Sequence, residues 1–228
     1  WQGSFYGFAV MGLAMLIHAL CILPSKSASP HRAPVSIIAT LKAVAGNRDF
    51  LRYWWIAALV FACYFALISV TPLMFMDGLK LSEYQYALVL MVYGVAYLLG
   101  GVAASFLQKR ISLSRQINIG LGLLLVAGVL LMLIVSLDAI TTITLLIPML
   151  ISALAVTLVR PAAISAAMLL FSSSAGTAAS AGNSIMFLTA AISSAALAQT
   201  GTHLLMTIAA SFIAFSLWGW LTNTRVGR

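Results

Sequence analysis

Long apolar runs, separated by short polar segments, form the main pattern along this chain. A helix needs about 20 apolar residues to cross a bilayer core of roughly 30 Å, and seven runs reach that length. The pattern therefore predicts an all-α membrane protein with about seven transmembrane helices. The fifth run is long enough to be tilted, or bent at Pro148 and Pro161. The predicted spans are about 1–23, 53–76, 84–107, 116–137, 140–171, 175–198 and 203–221.

The segment between the first two spans is the one long polar interruption. Residues 24–52 contain three prolines, several serines and five Lys or Arg side chains, which predicts a basic linker. The chain then divides into a single helix at 1–23, this linker, and a six-helix unit at 53–228. Because the chain begins at Trp1 without a start methionine, we expect a longer polypeptide with a further N-terminal part.

The composition indicates that lipid is the solvent for most of the chain. Hydrophobic residues make up 63% and charged residues 7%, whereas a soluble domain usually carries about 25% charge. The net charge of +8 does not indicate nucleic-acid binding, because the basic residues are spread over short loops. His18, His31 and His203 are far apart, and neither a phosphate loop nor a nucleophile elbow is present. We therefore predict no enzyme, cofactor or metal site.

The basic residues alternate between the two sides of the predicted membrane. The linker, the connection 108–115 and the C-terminus are rich in Lys and Arg, whereas the connections on the other side contain only Lys80. An excess of Lys and Arg marks the cytoplasmic side of a membrane. We therefore predict a multi-pass protein with residue 1 outside and the C-terminus in the cytoplasm.

One helix, a long basic cytoplasmic loop and six further helices form a layout that resembles the major facilitator superfamily. Transporters of that family join two six-helix halves through a long cytoplasmic loop between helices six and seven. The resemblance covers essentially the whole chain. It implies that the last six helices form the C-terminal six-helix bundle of this fold, and that the first helix belongs to a missing N-terminal half.

Several short motifs are similar to the bicyclomycin-resistance type of drug:proton antiporter within this superfamily. The most specific is the stretch 175–181, which resembles the opening of the family's eleventh helix. Pro161 fits the proline of the tenth helix, while Arg160 departs from the small or apolar residue expected there. Weaker matches are Trp1-Gln2 with Leu23-Pro24, Asn47-Arg48, Ser69 with Pro72, Ser82 with Tyr86, and Gly100-Gly101 with Lys109-Arg110, where the acidic residue of the family's loop motif is absent.

The resemblance implies proton-coupled efflux of drugs or small amphipathic compounds by alternating access, in the inner membrane of a bacterium. The implied partners are the N-terminal half of the same transporter, the lipid bilayer, protons and a small-molecule substrate, with no nucleic acid. Three alternatives stay open: a major facilitator importer of a small metabolite, a non-transporting membrane remnant or scaffold, and a membrane-embedded enzyme. The last requires polar catalytic groups at depth, and the spans offer few.

Arg160 is the one charged residue well inside a predicted span. A charge at that depth costs at least about 2.5 kcal/mol and usually faces a cavity or a partner. We expect it to bind an anionic group in the central cavity, or an acidic residue of the missing half. The alternative is an anchor that reaches the membrane interface, although Arg160 lies about 11 residues, or roughly 16 Å, from the end of its span.

Further cavity candidates lie on the second, third and sixth spans. Tyr93 and Tyr97 are four residues apart and share one helix face, and the amide of Asn183 needs hydrogen-bond partners. No Asp or Glu lies at depth, so the proton site of a coupled carrier would belong to the missing half. Packing between helices or against lipid is the alternative for each candidate. The predicted substrate-binding residues are Phe61, Tyr64, Tyr93, Tyr97, Arg160, Asn183, Met186 and Phe187.

Overall fold

The computed structural model describes residues 2–22 and 37–224, and every regular element in these residues is helical. The chain divides into two compact units, Trp1–Val35 and Ser36–Arg228. The first contains helix α1, Gln2–Ile22, and the second contains the other described helices. Residues 24–36 of the predicted linker, and the predicted basic C-terminus with Arg225 and Arg228, lie outside the described residues.

Within the described part of the chain, seven helices are long and apolar enough to cross a membrane, namely α1 and α3–α8. This confirms the predicted all-α class and the predicted number of spans. A π-helical turn at Leu73–Gly78 follows α3, and short 3-10 turns precede α7 and α8. The helices of the second unit are α2 (Ile37–Gly46), α3 (Arg48–Pro72), α4 (Glu83–Gln108), α5 (Leu113–Ser136), α6 (Thr142–Leu169), α7 (Ala175–Ala198) and α8 (Leu204–Thr224).

The described part of the predicted linker is helical. α2 lies within it and buries Thr40 and Val44, which are four residues apart and therefore share one face. α3 begins at Arg48, earlier than the predicted span, because Asn47 caps it: the Asn47 side-chain oxygen accepts a hydrogen bond from the Phe50 N–H at 2.9 Å. Residues 37–52 of the predicted linker thus comprise a short helix, the capping residue Asn47 and the start of α3.

α3 and α6 form the centre of the six-helix bundle. α3 packs against α6, α7 and α8, and α6 also packs against α4 and α5. The bundle has two ends. The linker end is where α3, α5 and α7 begin and α4, α6 and α8 end; there Phe50 and Phe171 meet edge to face with ring centroids 5.2 Å apart. The far end is the opposite one.

Two amide side chains fix α5 against its neighbours near the linker end. Gln116, which is buried, donates from Nε2 to the backbone carbonyl of Leu158 on α6 at 3.0 Å. Asn223 on α8 donates from Nδ2 to the Ser114 carbonyl at 2.9 Å and to Asn118 Oδ1 at 2.8 Å. Because such interhelical bonds are worth roughly 0.6–2 kcal/mol each in a membrane, they set the register of these helices.

The far end of α3 departs from regular helix geometry. Pro72 has no N–H, so the carbonyl of Ile68 loses its helical donor. Thr71 replaces that donor, because its hydroxyl donates to the Ile68 carbonyl at 2.8 Å. The same hydroxyl oxygen lies 2.8 Å from the hydroxyl of Tyr86 on α4, which is then the donor. α6 shows a different outcome, since it continues as one α-helix through both of its internal prolines.

Candidate functional site

Aromatic side chains of α3 and α4 form one group inside the bundle. Tyr64 is central to it: its ring centroid lies 6.1 Å from that of Tyr93 in a stacked arrangement and 5.6 Å from that of Tyr97. Tyr93 is buried, while Tyr64 and Tyr97 are half-buried. The two predicted tyrosines of α4 therefore contact the same residue of α3, and Tyr97 reaches an open surface.

Phe61 extends this group towards α7. Its ring centroid lies 6.2 Å from that of Tyr64, and the ring of Phe187 meets it edge to face at 5.7 Å. Met186 is fully buried and packs in the same cluster as Phe61, whereas Phe187 is exposed. We call Phe61, Tyr64, Tyr93, Tyr97 and Phe187 the aromatic wall.

Arg160 of α6 lies against the aromatic wall. Its guanidinium carbon is 4.8 Å from the centroid of the Phe61 ring, which is a cation–π contact. Among residues 2–22 and 37–224, the ion pair found is the one between Arg52 Nη1 and Asp49 Oδ1, at 3.4 Å. No described carboxylate or other acceptor pairs with Arg160.

A cleft of about 430 Å³ opens beside Arg160, between α4 and α6. Most of its surface is apolar, with a few hydroxyl groups and the guanidinium placed within it. Such a combination of apolar walls and few convergent polar groups is typical of a small-molecule site. The lining residues are Tyr97, Gly101, Val156, Thr157, Arg160, Pro161, Ile164 and Ser165.

Pro161 changes the backbone hydrogen bonding of α6 beside the cleft. Because proline has no N–H, the carbonyl of Thr157 lacks its helical donor, and Thr157 lies in the cleft lining. Gly100 allows α4 to pass close to this point, since a Cβ built on it would overlap the Thr157 hydroxyl. The cleft lining therefore contains the guanidinium of Arg160, and the carbonyl without a helical donor belongs to the lining residue one turn earlier on α6.

The structure brings most of the predicted site residues together. Arg160 and the five residues of the aromatic wall are joined by the contacts given above, and Met186 packs behind Phe61. Asn183 lies apart: its side chain is exposed on α7, it does not line the cleft beside Arg160, and no described residue forms a hydrogen bond with it. Its proposed role as a cavity residue stays a prediction.

Sequence reasoning missed several residues of the cleft. Thr157 and Ile164 lie three residues before and four residues after Arg160, so they share its helix face, and this spacing could have identified them. Phe65 is not in the cleft lining but contacts the aromatic wall, with its ring centroid 6.1 Å from that of Phe61. It follows Phe61 by four residues on α3, and this spacing could have identified it. Ser165 follows Ile164 in the lining, and no sequence signal distinguishes it from the other serines.

The carboxylates of the chain lie at the ends of its helices. Asp49 and Glu83 stand in the first turns of α3 and α4, Asp77 in the π-helical turn, and Asp138 between α5 and α6. In the part of the chain that the structure describes, no group of three or more His, Cys, Asp or Glu residues is close enough to hold a metal. Among the described residues, the four carboxylates therefore lie away from Arg160, which is well inside α6.

Comparison with known proteins identifies the family. The chain is similar to the chloramphenicol resistance protein CraA of Acinetobacter baumannii, with 26% identity over 134 residues. The match covers 58% of this chain and 32% of that protein, so the aligned part spans about a third of the relative's length. The sequence profile of the Major Facilitator Superfamily matches residues 1–194, which is most of the chain. The chain therefore belongs to the Major Facilitator Superfamily, a family of membrane transporters.

Proposed function

We propose that this chain is part of a secondary active transporter of the bicyclomycin-resistance type, which exports drugs or small amphipathic compounds by alternating access. The observation that carries the proposal is the aromatic wall with Arg160 beside an open cleft. An amphipathic ligand needs an apolar surface together with a few polar groups in defined positions. The similarity to a chloramphenicol resistance protein supports a drug as the exported compound.

The proposed transporter has a second half that faces this cleft. Residues 1–23 would be the last helix of that N-terminal half, residues 24–52 its cytoplasmic linker, and residues 53–228 the C-terminal half. The greater length of the relative supports this assembly. In this proposal the open side of the cleft between α4 and α6 faces the second half, because major facilitator sites lie between two six-helix halves.

Proton coupling, in this proposal, depends on the other half. The four carboxylates of this chain stand at helix ends, whereas proton relays within membranes use carboxylates or histidines at depth. The proton-binding carboxylate is therefore assigned to the N-terminal half, and this chain contributes the substrate-facing wall. We place the transporter in the inner membrane of a bacterium, with the linker end of the bundle in the cytoplasm.

Transport by the full-length parent protein in proteoliposomes tests the proposal, with chloramphenicol as the first compound. An imposed pH gradient should drive chloramphenicol flux. Phe61→Ala should reduce that flux about tenfold, because it removes the ring that contacts Arg160, Tyr64 and Phe187. Phe106→Ala is the matched control, since Phe106 is exposed on α4 and not part of the wall; it should leave the flux unchanged.

Three outcomes would contradict the proposal in different ways. No flux above that of protein-free liposomes, for chloramphenicol and a panel of other amphipathic drugs, favours a non-transporting scaffold. Movement of the drug in the same direction as the protons favours an importer, whereas movement in the opposite direction is expected for the proposed export. Equal loss from Phe61→Ala and Phe106→Ala indicates that the wall is only a packing feature.

A further inference from the structure

Resting on the proposed transport function, we infer that the cleft beside Arg160 selects aromatic substrates that carry an oxyanion such as a carboxylate. The guanidinium would hold the oxyanion, and Tyr97, which belongs to both the wall and the cleft lining, would pack against the aromatic ring. An apolar cleft without Arg160 would favour neutral or weakly cationic compounds. With Arg160 present, these compounds would bind more weakly than the oxyanions.

Arg160 carries a positive charge inside the bundle. Arg160 is half-buried in the third quarter of α6, and no carboxylate among the described residues pairs with it. A charge at this depth is costly unless a partner or water compensates it. The carboxylates of the chain stand at helix ends, so the bundle itself supplies no counter-charge. The electrostatic potential in the cleft is therefore positive, which favours an anion and disfavours a cation.

The geometry of Arg160 also suits an oxyanion. The Phe61 ring covers one face of the guanidinium, with 4.8 Å between the guanidinium carbon and the ring centroid. The N–H donors of arginine lie in the plane of the guanidinium, so contact with its face leaves the edges available. Arg160 also belongs to the cleft lining. A planar fork of donors at a cleft surface matches a carboxylate, which it binds through two parallel hydrogen bonds.

Thr157 bears on the orientation of a ligand within the cleft. Pro161 leaves the Thr157 carbonyl without a helical donor, and Thr157 lines the same cleft. This oxygen repels an oxyanion and accepts from a hydrogen-bond donor. A ligand with its oxyanion at Arg160 and its ring against Tyr97 therefore gains further from an N–H or O–H group directed towards Thr157.

A carboxylate could also come from a side chain in the other half of the transporter. The chemistry at Arg160 would be the same, but the consequence for the ligand would differ. A protein carboxylate would neutralise the cleft for every substrate, whereas a substrate carboxylate makes Arg160 selective among substrates. A pair of ligands with the same rings, one with a carboxylate and the other with a neutral amide, separates these two sources.

The test uses 2-naphthoate and 2-naphthamide, which have the same rings and nearly the same shape. Binding of each to the purified full-length parent protein is measured by isothermal titration calorimetry at pH 7 and fixed ionic strength. 2-Naphthoate should bind about tenfold more tightly, as expected for a charge-assisted contact. Arg160→Gln should remove that preference by weakening 2-naphthoate alone. Arg160→Lys, which keeps the charge but loses the fork, should retain part of it.

Arg110→Gln is the matched control, because it removes an exposed cation at the linker end, outside the cleft. It should change neither affinity, and thermal unfolding of each variant should match that of the unchanged protein. The inference is wrong if neither compound binds, if 2-naphthamide binds as tightly as 2-naphthoate, or if Arg160→Gln weakens both equally. If chloramphenicol is transported but 2-naphthoate is not preferred, only this inference is contradicted. If 2-naphthoate is preferred but no chloramphenicol flux is found, only the proposed export is contradicted.

Discussion

At the scale of the residue, the packing of α3 against α7 depends on the absence of a side chain at Gly182. A Cβ built there would overlap the indole ring of Trp54. Trp54 is 1% exposed and packs against Phe50, with ring centroids 6.0 Å apart. Because Trp54 is held from two sides, its ring has little room to move away from a larger residue.

We predict that Gly182→Ala destabilises the protein by about 1–3 kcal/mol, the usual cost of overpacking. Gly176→Ala is the matched control on the same helix, since nothing lies within 4 Å of a Cβ built there. It should be neutral or stabilising by up to about 1 kcal/mol, because alanine is the better helix former. Thermal unfolding in detergent measures both variants. Equal stability of the two would show that α7 moves away from Trp54 without cost.

Sequence reasoning identified residue types at this scale but not their neighbours. The depth of Arg160 in its span marked it as unusual, because a charge in lipid is costly whatever surrounds it. Its contact with Phe61 depends on how α3 packs against α6, and the length of an apolar run does not report which helices pack together. Met186 and Phe187 are adjacent in sequence and both apolar, yet one is buried and the other exposed.

At the scale of the element, the long apolar runs predicted the spans well but not their irregular ends. The predicted span 175–198 has the same bounds as α7 in the structure. The π-helical turn after α3 could not be predicted, because hydropathy reports burial and not which carbonyl accepts which N–H. α2 was missed since its ten residues are too few for a span and lie in a segment rich in proline, serine and basic residues.

The hydroxyl of Thr71 joins the irregular far end of α3 to the beginning of α4. It donates to the carbonyl that Pro72 leaves free and accepts from Tyr86 of α4. Thr71 itself is buried, so water does not replace these bonds when the hydroxyl is removed. The end of α3 and the beginning of α4 are therefore held together through one side chain.

We predict that Thr71→Val loosens the turn at Leu73–Gly78 and increases hydrogen–deuterium exchange of its amides. Each lost bond should cost about 0.5–1.5 kcal/mol. Tyr86→Phe removes one of the same bonds, so the double variant should be less destabilised than the sum of the two single variants. Ser105→Ala is the control, because that hydroxyl donates to the Gly101 carbonyl of its own helix. Additive effects would show that Thr71 and Tyr86 act independently.

At the scale of the whole molecule, the loop charges and the helix packing agree on two chemically different ends. Lys109 and Arg110 follow α4 at the linker end and are exposed, while Asp138 stands at the far end between α5 and α6. Because successive spans alternate in direction, alternate loops lie on the same side of the membrane. The Lys and Arg pattern in the sequence predicted the same grouping of the loops. It could not predict the cleft beside Arg160, which requires the positions of α4 and α6 relative to each other.

The last prediction concerns the side of the membrane on which each end lies. A single cysteine is placed at Arg110 or at Ala139, both exposed, in full-length protein carrying Cys21→Ser and Cys63→Ala. Ala139 is preferred to its neighbour Asp138, whose φ of 51° suits few side chains. The Lys and Arg excess predicts that the linker end lies in the cytoplasm. A membrane-impermeant maleimide added to intact cells should therefore modify the cysteine at 139, and that at 110 only after permeabilisation. The protein without either cysteine is the control, and the reverse pattern would contradict both the orientation and the assignment of 24–52 as a cytoplasmic linker.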